Sequence, residues 1–365
     1  METQQGLCVS IYMPTHRKGT ETQQNQIRFK NLVRYTEDRL IGSDLRPQEA
    51  KEFLKPAQEL LGDAPFWQTQ LEGLAMFISP LSFDFFRLPI EFEEFVAVTD
   101  RFHIKPLLPA LSGDIEFYIL AISQKNVRLI ECTRFSAEEI DLENIPSDIA
   151  EAFKTESIEK EPQFHTRRHP AAFKGLGGGT EDSKDNVVRY FKQVDKGLNK
   201  LMKGKQTPLV FSGVDYLFPI YREANTYAFL LDKQIPGNQD EASVDDLHSQ
   251  AWPLVEYIFE KEKADAVELY QQSSGTGLAS HDLKEIVSAA YHGRIASLFV
   301  ALGTQQWGTF DPATDEVELQ ENVELGNADL LDFAAIQTLS NGGTVYAVSP
   351  GEVPDGAVIA AVFRY

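Results

Sequence analysis

The sequence predicts an α/β protein of more than one domain, and three observations predict it. Its 365 residues exceed what one ordinary hydrophobic core organises, so two or three domains are expected. An apolar content of 42% and an aromatic content of 11% belong to a folded globular chain. Stretches of strand and helix periodicity alternate along the sequence, most cleanly in its last third.

Residues 7–13, LCVSIYM, form a β-branched and aromatic run closed by Pro14 and predict a first strand. A helical pattern follows over 21–40, with Ile27, Leu32, Val33 and Leu40 apolar. A second helix is predicted over 47–61, with Pro47 at its start. LAMFISP, FVAVTDRF and the Phe-rich stretch between them read as strands, and the first unit closes near 112 at a Ser-Gly-Asp break. Residues 116–133 read as a hairpin turning at 124–126. After a long charged stretch comes the clearest helix, with Val187, Phe191, Val194, Leu198 and Leu201 on one face. PLVFSGVDYLFPIY reads as a strand and HSQAWPLVEYIFEKEKADAVELYQQ as a helix. The last third gives a helix starting near Ser280 or His281, the strand IASLFVALG, the helix LLDFAAIQTLSNGG, and the strands TVYAVSP and VIAAVFRY, the last running to the final residue. No internal repeat is present.

Charge is distributed unevenly. The chain carries a formal −21, which disfavours general nucleic-acid binding. Residues 160–205 nevertheless hold eleven Lys or Arg against five Asp or Glu, a net +6, leaving −27 on the remaining 319. Within this basic segment lies HTRRHPAAFKGLGGGTEDSK, residues 165–184, with four glycines in five positions. The helix beyond it carries Arg189, Lys192, Lys196, Lys200 and Lys203 at spacings of three, four, four and three, a second face distinct from the apolar one.

Several chemistries are disfavoured by spacing. Gly175-Leu-Gly177-Gly-Gly179-Thr180 misses the dinucleotide fingerprint because its last position is threonine, and no glycine precedes Lys184 as a Walker loop requires. His165 and His169 are followed by Pro170 and lack a third ligand nearby, so they read as part of the basic patch and no metal site is expected. His281 and His292 read as ordinary surface residues, and no nucleophile elbow or zinc-protease motif occurs. No cofactor is expected. Cys8 and Cys132 sit in apolar runs and read as buried free thiols. The N-terminus lacks a signal-peptide pattern and no apolar run reaches membrane length, so a cytoplasmic protein without a membrane partner is expected.

The segment FKGLGGGTEDSKDNVVRYFKQVDKGL resembles the central domain of the archaeo-eukaryotic class-I peptide release factors, in which a Gly-Gly-Gln tip precedes a long basic helix. CVSIYMPTHR, RFHIKPLLPAL, YILAISQKNVRLIE, ASLFVALGTQQWGTFD and VIAAVFRY look like the bacterial branch of that superfamily. The resemblance implies three domains: an N-terminal α/β domain (1–112), a central domain with the tip and basic helix (113–262), and a ribosomal-protein-like α/β/α domain (263–365). In the superfamily the tip enters the peptidyl-transferase centre, where its glutamine positions water against the peptidyl-tRNA ester. Here Thr180 or Gly179 stands at that position, so the candidate tip Gly177, Gly178, Gly179 and Thr180 lacks the amide. The Asn-Ile-Lys-Ser stop-codon motif is also absent from the first domain.

The resemblance therefore implies a ribosome-associated factor acting in rescue, recycling or hibernation, without Gly-Gly-Gln hydrolysis or stop-codon reading. Its partners would be rRNA or peptidyl-tRNA, met by Arg167, Arg168, Lys174, Lys184, Arg189, Lys192, Lys196, Lys200 and Lys203. Two alternatives stay open: an ester hydrolase working through backbone groups of the tip, and a non-ribosomal stress or interaction protein that meets a protein partner through its acidic surfaces.

Overall fold

The computed structural model describes residues 6–17, 22–111, 116–123, 126–142, 181–321 and 327–365. The chain is a mixed α/β protein that divides into two compact units, Met1–Gly113 with Glu262–Tyr365, and Asp114–Lys261.

The first unit holds two sheets. Its N-terminal lobe begins with β1 (Cys8–Pro14), followed by α1 (Thr22–Gly42), α2 (Pro47–Glu59) and the short α3 (Ala64–Gln68). Strands β2 (Gly73–Ile78), β3 (Phe83–Leu88) and β4 (Phe95–Thr99) complete an antiparallel sheet of order β3-β2-β1-β4. Val9, Ile11 and Met13 alternate toward a core shared with Phe29, Leu54 and Trp67 of the helices, while Tyr12 and Phe77 face the opposite side. Pro47 opens α2 as expected, where no intrahelical N–H is lost.

The second unit carries β5 (Phe117–Ile122), β6 (Val127–Cys132) and β7 (Ala137–Ile140). The basic segment's helix, α4 here, spans Glu181–Leu201, and β8 (Leu209–Gly213), α5 (Leu217–Ala224) and β9 (Leu230–Pro236) follow. The sheet order is β7-β6-β5-β8-β9, antiparallel at β5–β6 and β6–β7 and parallel at β5–β8 and β8–β9. Helices α4 and α5 cover one face, and the first part of α6 (Val244–Ser273) packs its Leu247, Ala251 and Val255 on the other.

The C-terminal lobe of the first unit is an α/β/α sandwich. It contains β10 (Ala279–Ser280), α7 (Leu283–Tyr291), β11 (Ile295–Ala301), β12 (Trp307–Asp311), β13 (Glu316–Leu319) and β14 (Ala328–Asp329). After these come α8 (Leu330–Ser340), β15 (Thr344–Val348) and β16 (Ile359–Phe363). The main sheet has the order β10-β16-β11-β15, with α7 and α8 on one face and Ala266 and Tyr270 of α6 on the other. A small sheet β13-β12-β14 flanks it.

The structure corrects four sequence expectations. Within PLVFSGVDYLFPIY only Leu209–Gly213 is strand, and Leu217–Ala224 is helix. Leu217, Phe218, Tyr221 and Ala224 make one buried stripe, a spacing too short to separate the two periods in sequence. The strand stops at Gly213, where a Cβ would lie 2.9 Å from the Ile122 carbonyl. The helix expected to start at Ser280 or His281 is capped by Asp282, whose carboxylate accepts from the Glu285 N–H, and Ser280 lies in β10. The buried stripe of α4 continues just past the helix end to Met202, four residues after Leu198, while Leu201 is 44% exposed. The last strand ends at Phe363. Cys8 and Cys132 are buried and free, and burial pushes their thiols up to about 11 and about 12. His281 and His292 are exposed, as expected.

An unanticipated buried ionic group joins the two lobes of the first unit. Lys105, 1% exposed, donates to the Asp329 carboxylate at 2.5 Å and to the Thr304 carbonyl. Asp329 caps α8, accepting from Gln306 N and Leu331 N, and Asp332 accepts from Ile104 N at 2.9 Å. His103 lies 3.8 and 4.0 Å from these two carboxylates and is held through Ser10, which accepts its N–H, and through Tyr12, which donates to its carbonyl. Burial drives the His103 imidazole well below its ordinary range, with the Lys105 charge adding to the effect. Burial and then the neighbouring Asp329 charge push the Asp332 carboxyl up to about 7.

Candidate functional site

Helix α4 is the element the sequence singles out, and its two faces are both built by spacing. Val187, Tyr190, Phe191, Val194 and Leu198 are buried against Phe211, Phe218 and Tyr221. Phe191 meets Tyr221 edge-on at 5.4 Å, so aromatic contact fixes the rotation of the helix about its axis.

One polar residue on the inner side completes that fixation. Asp195 is 5% exposed and accepts from Thr226 N at 2.9 Å, Thr226 Oγ1 at 2.7 Å and Asn199 Nδ2 at 3.0 Å. The carboxylate thus ties mid-helix to the loop after α5. Sequence reasoning passed over Asp195 because Thr226, which takes two of its bonds, lies 31 residues away; its place inside the apolar stripe, next to Val194, was the available signal.

With that face pinned, Arg189, Lys192, Lys196 and Lys200 are exposed along the helix, and Lys203 is exposed just beyond it. From Arg189 to Lys200 the row runs about 16 Å along the axis. Among the described residues, Lys192, Lys196, Lys200 and Lys203 have no carboxylate partner. Lys205, by contrast, is engaged: it donates to the Tyr118 hydroxyl and lies 3.6 Å from Glu116 and 3.5 Å from Glu131. That bond to Tyr118, first, and the two acids hold its ammonium above the ordinary lysine range. The row therefore stops at Lys203. A line of uncompensated cations on a rigid helix suits a polyanion and carries no nucleophile or acid–base pair.

The remaining candidates are placed as follows. Lys184 is in the first turn of α4, and its side chain lies outside the described residues. Arg167, Arg168, Lys174, Gly177, Gly178, Gly179 and Thr180 lie outside them as well. Among the described residues no group of His, Cys, Asp or Glu is arranged to hold a metal ion, and no helix is long and apolar enough to cross a membrane.

Residues 117–257, which run from β5 into α6 and include the basic helix, match the family model of the bacterial archaeo-eukaryotic release factor family 7. No curated protein matches the chain. Among solved structures, the archaeal translation termination factor aRF1 is similar at 15% identity, covering 98% of this chain and 92% of the other, with a TM-score of 0.27. A ribosome-bound archaeal Pelota and ABCE1 model is similar at 13% identity, covering 99% and 91%, with a TM-score of 0.38. Archaeoglobus fulgidus Pelota is similar at 14% identity, covering 80% and 79%, with a TM-score of 0.30. These superpositions are too loose to transfer geometry; the release-factor segment stands on its own residues.

Proposed function

We propose that this chain is a ribosome-associated, release-factor-like protein acting in rescue, recycling or hibernation. The observation that carries the reading is the row Arg189–Lys203. Its five cations stand exposed on a pinned helix or just beyond it, after a glycine-rich stretch of sequence and inside the segment that matches a release-factor family, and among the described residues Lys192, Lys196, Lys200 and Lys203 have no carboxylate partner. In a chain of −21, keeping Lys192, Lys196, Lys200 and Lys203 clear of carboxylates suits an external polyanion. The row lies on rRNA or tRNA phosphates; Gly177, Gly178, Gly179 and Thr180, which precede it in sequence, act as the tip, and Arg167, Arg168, Lys174 and Lys184 add phosphate contacts.

The tip does not perform glutamine-dependent hydrolysis, because neither Gly179 nor Thr180 carries an amide to orient water. A single-turnover assay on programmed ribosomes charged with peptidyl-tRNA is expected to show no release above background. Release at rates comparable to a Gly-Gly-Gln factor would assign ester hydrolysis to backbone groups of the tip instead. For the binding itself, the test is co-sedimentation with ribosomes. Wild-type protein is expected in the pellet at low salt, and R189E/K192E/K196E in the supernatant. A protein partner captured without rRNA, with the triple variant unaffected, would point to a non-ribosomal role.

A further inference from the structure

The first unit contains a groove that the release-factor reading does not use. Three cavities meet at Glu94. The largest, about 520 Å³, lies between α1 and the start of β12 and is lined by Tyr35, Phe95 and Trp307 with the amides of Asn31 and Gln305. A second, about 410 Å³, shares Phe95 and Gln305 and continues past Glu91 and Glu93 onto a wall of Pro106, Pro109 and Pro350. A third, about 240 Å³, extends the first along α1 to Ile27, which is 62% exposed. Together they form one channel running between the two lobes of this unit.

Its charges are unbalanced. Arg28 is held by Glu94 at 2.8 Å, and Lys105 is turned inward to Asp329. Arg39 sits at the α1 end, 5.8 Å over the Tyr35 ring and donating to its hydroxyl at 3.3 Å. Glu91 and Glu93 are exposed and have no ion-pair partner among the described residues. The middle of the channel is therefore negative and aromatic.

We propose that this groove binds an extended cationic peptide of a partner protein, with Arg or Lys side chains on Glu91 and Glu93. A guanidinium laid on the Trp307 and Phe95 rings gains a cation–π contact that an aliphatic side chain would not. The amides of Asn31 and Gln305, which have no hydrogen-bond partner among the described residues, meet the peptide backbone. The proline wall offers an apolar surface whose residues have no backbone N–H to donate to the peptide. Phosphate would be repelled by the same carboxylates, so this surface and the basic helix select opposite partners.

The test titrates the full-length protein with an octapeptide of alternating Arg and Gly, by calorimetry and tryptophan fluorescence. Neutralising E91Q/E93Q/E94Q is expected to weaken binding about tenfold. A control with equal charge change on the same unit, E316Q/E318Q/E321Q, is expected to leave it within about twofold. W307F is expected to abolish the fluorescence change on binding, since Trp67 is buried in the N-terminal core and Trp252 lies in the other unit. No binding by wild type, an equal loss in the control variant, or an unchanged fluorescence response in W307F would overturn the proposal.

Discussion

Asp332 and His103 sit in one buried group yet respond to pH in opposite directions. The Asp332 carboxyl is raised from 3.8 to about 7 in the folded protein. Its folded state therefore binds a proton more tightly than the unfolded chain, and stability from this residue is lost as pH rises from about 4 through about 7. For a group this deeply buried, the loss is on the order of a few kcal/mol. His103 is lowered below 6.5, so its contribution is lost as pH falls below that value. D332N keeps an acceptor for Ile104 N and removes the titration, so its stability relative to wild type should climb between pH 5 and pH 8. H103Q should gain relative to wild type on the acid side instead. Urea unfolding across that pH range measures both; parallel curves for wild type and D332N would show that Asp332 does not titrate there.

At the scale of elements, α4 depends on two kinds of contact. Removing the Asp195 carboxylate strips Thr226 N and Thr226 Oγ1 of their acceptor and takes one of three acceptors from Asn199 Nδ2, and D195A should cost about 2–3 kcal/mol in urea unfolding. Because the same bonds set the helix orientation, D195A should also weaken ribosome co-sedimentation while leaving every cation of the row in place. A D195A protein as stable as wild type would remove Asp195 from that role. Elements with long periodic faces were legible in sequence: α1, α2, α4, α6 and the core strands lie where apolar spacing put them. The small sheet β13-β12-β14 and the edge strands β7 and β9 were missed, because short, half-exposed strands carry little alternation. The Lys105–Asp329 pair was beyond reach for a different reason. Its members are 224 residues apart, and a lysine in an apolar run does not announce which carboxylate will pair with it. The basic row was read correctly as exposed, since a helix buried on one face by Val187, Phe191, Val194 and Leu198 must turn residues 189, 192, 196 and 200 outward.

Across the whole molecule, charge is partitioned unevenly. A net −27 lies outside residues 160–205 and a net +6 within them, so on the proposed function attraction for RNA phosphates is carried by that segment. That partition should appear as salt dependence. Ribosome affinity measured from low to moderate salt should fall linearly on a log–log plot, with a slope of about −3 to −4 if five cations each displace one counterion. Reversing Arg189, Lys192 and Lys196 to Glu should flatten the slope by about 2 and weaken binding throughout. Affinity independent of salt, or the same slope in the reversed protein, would mean that the basic helix of the release-factor segment is not what meets the ribosome.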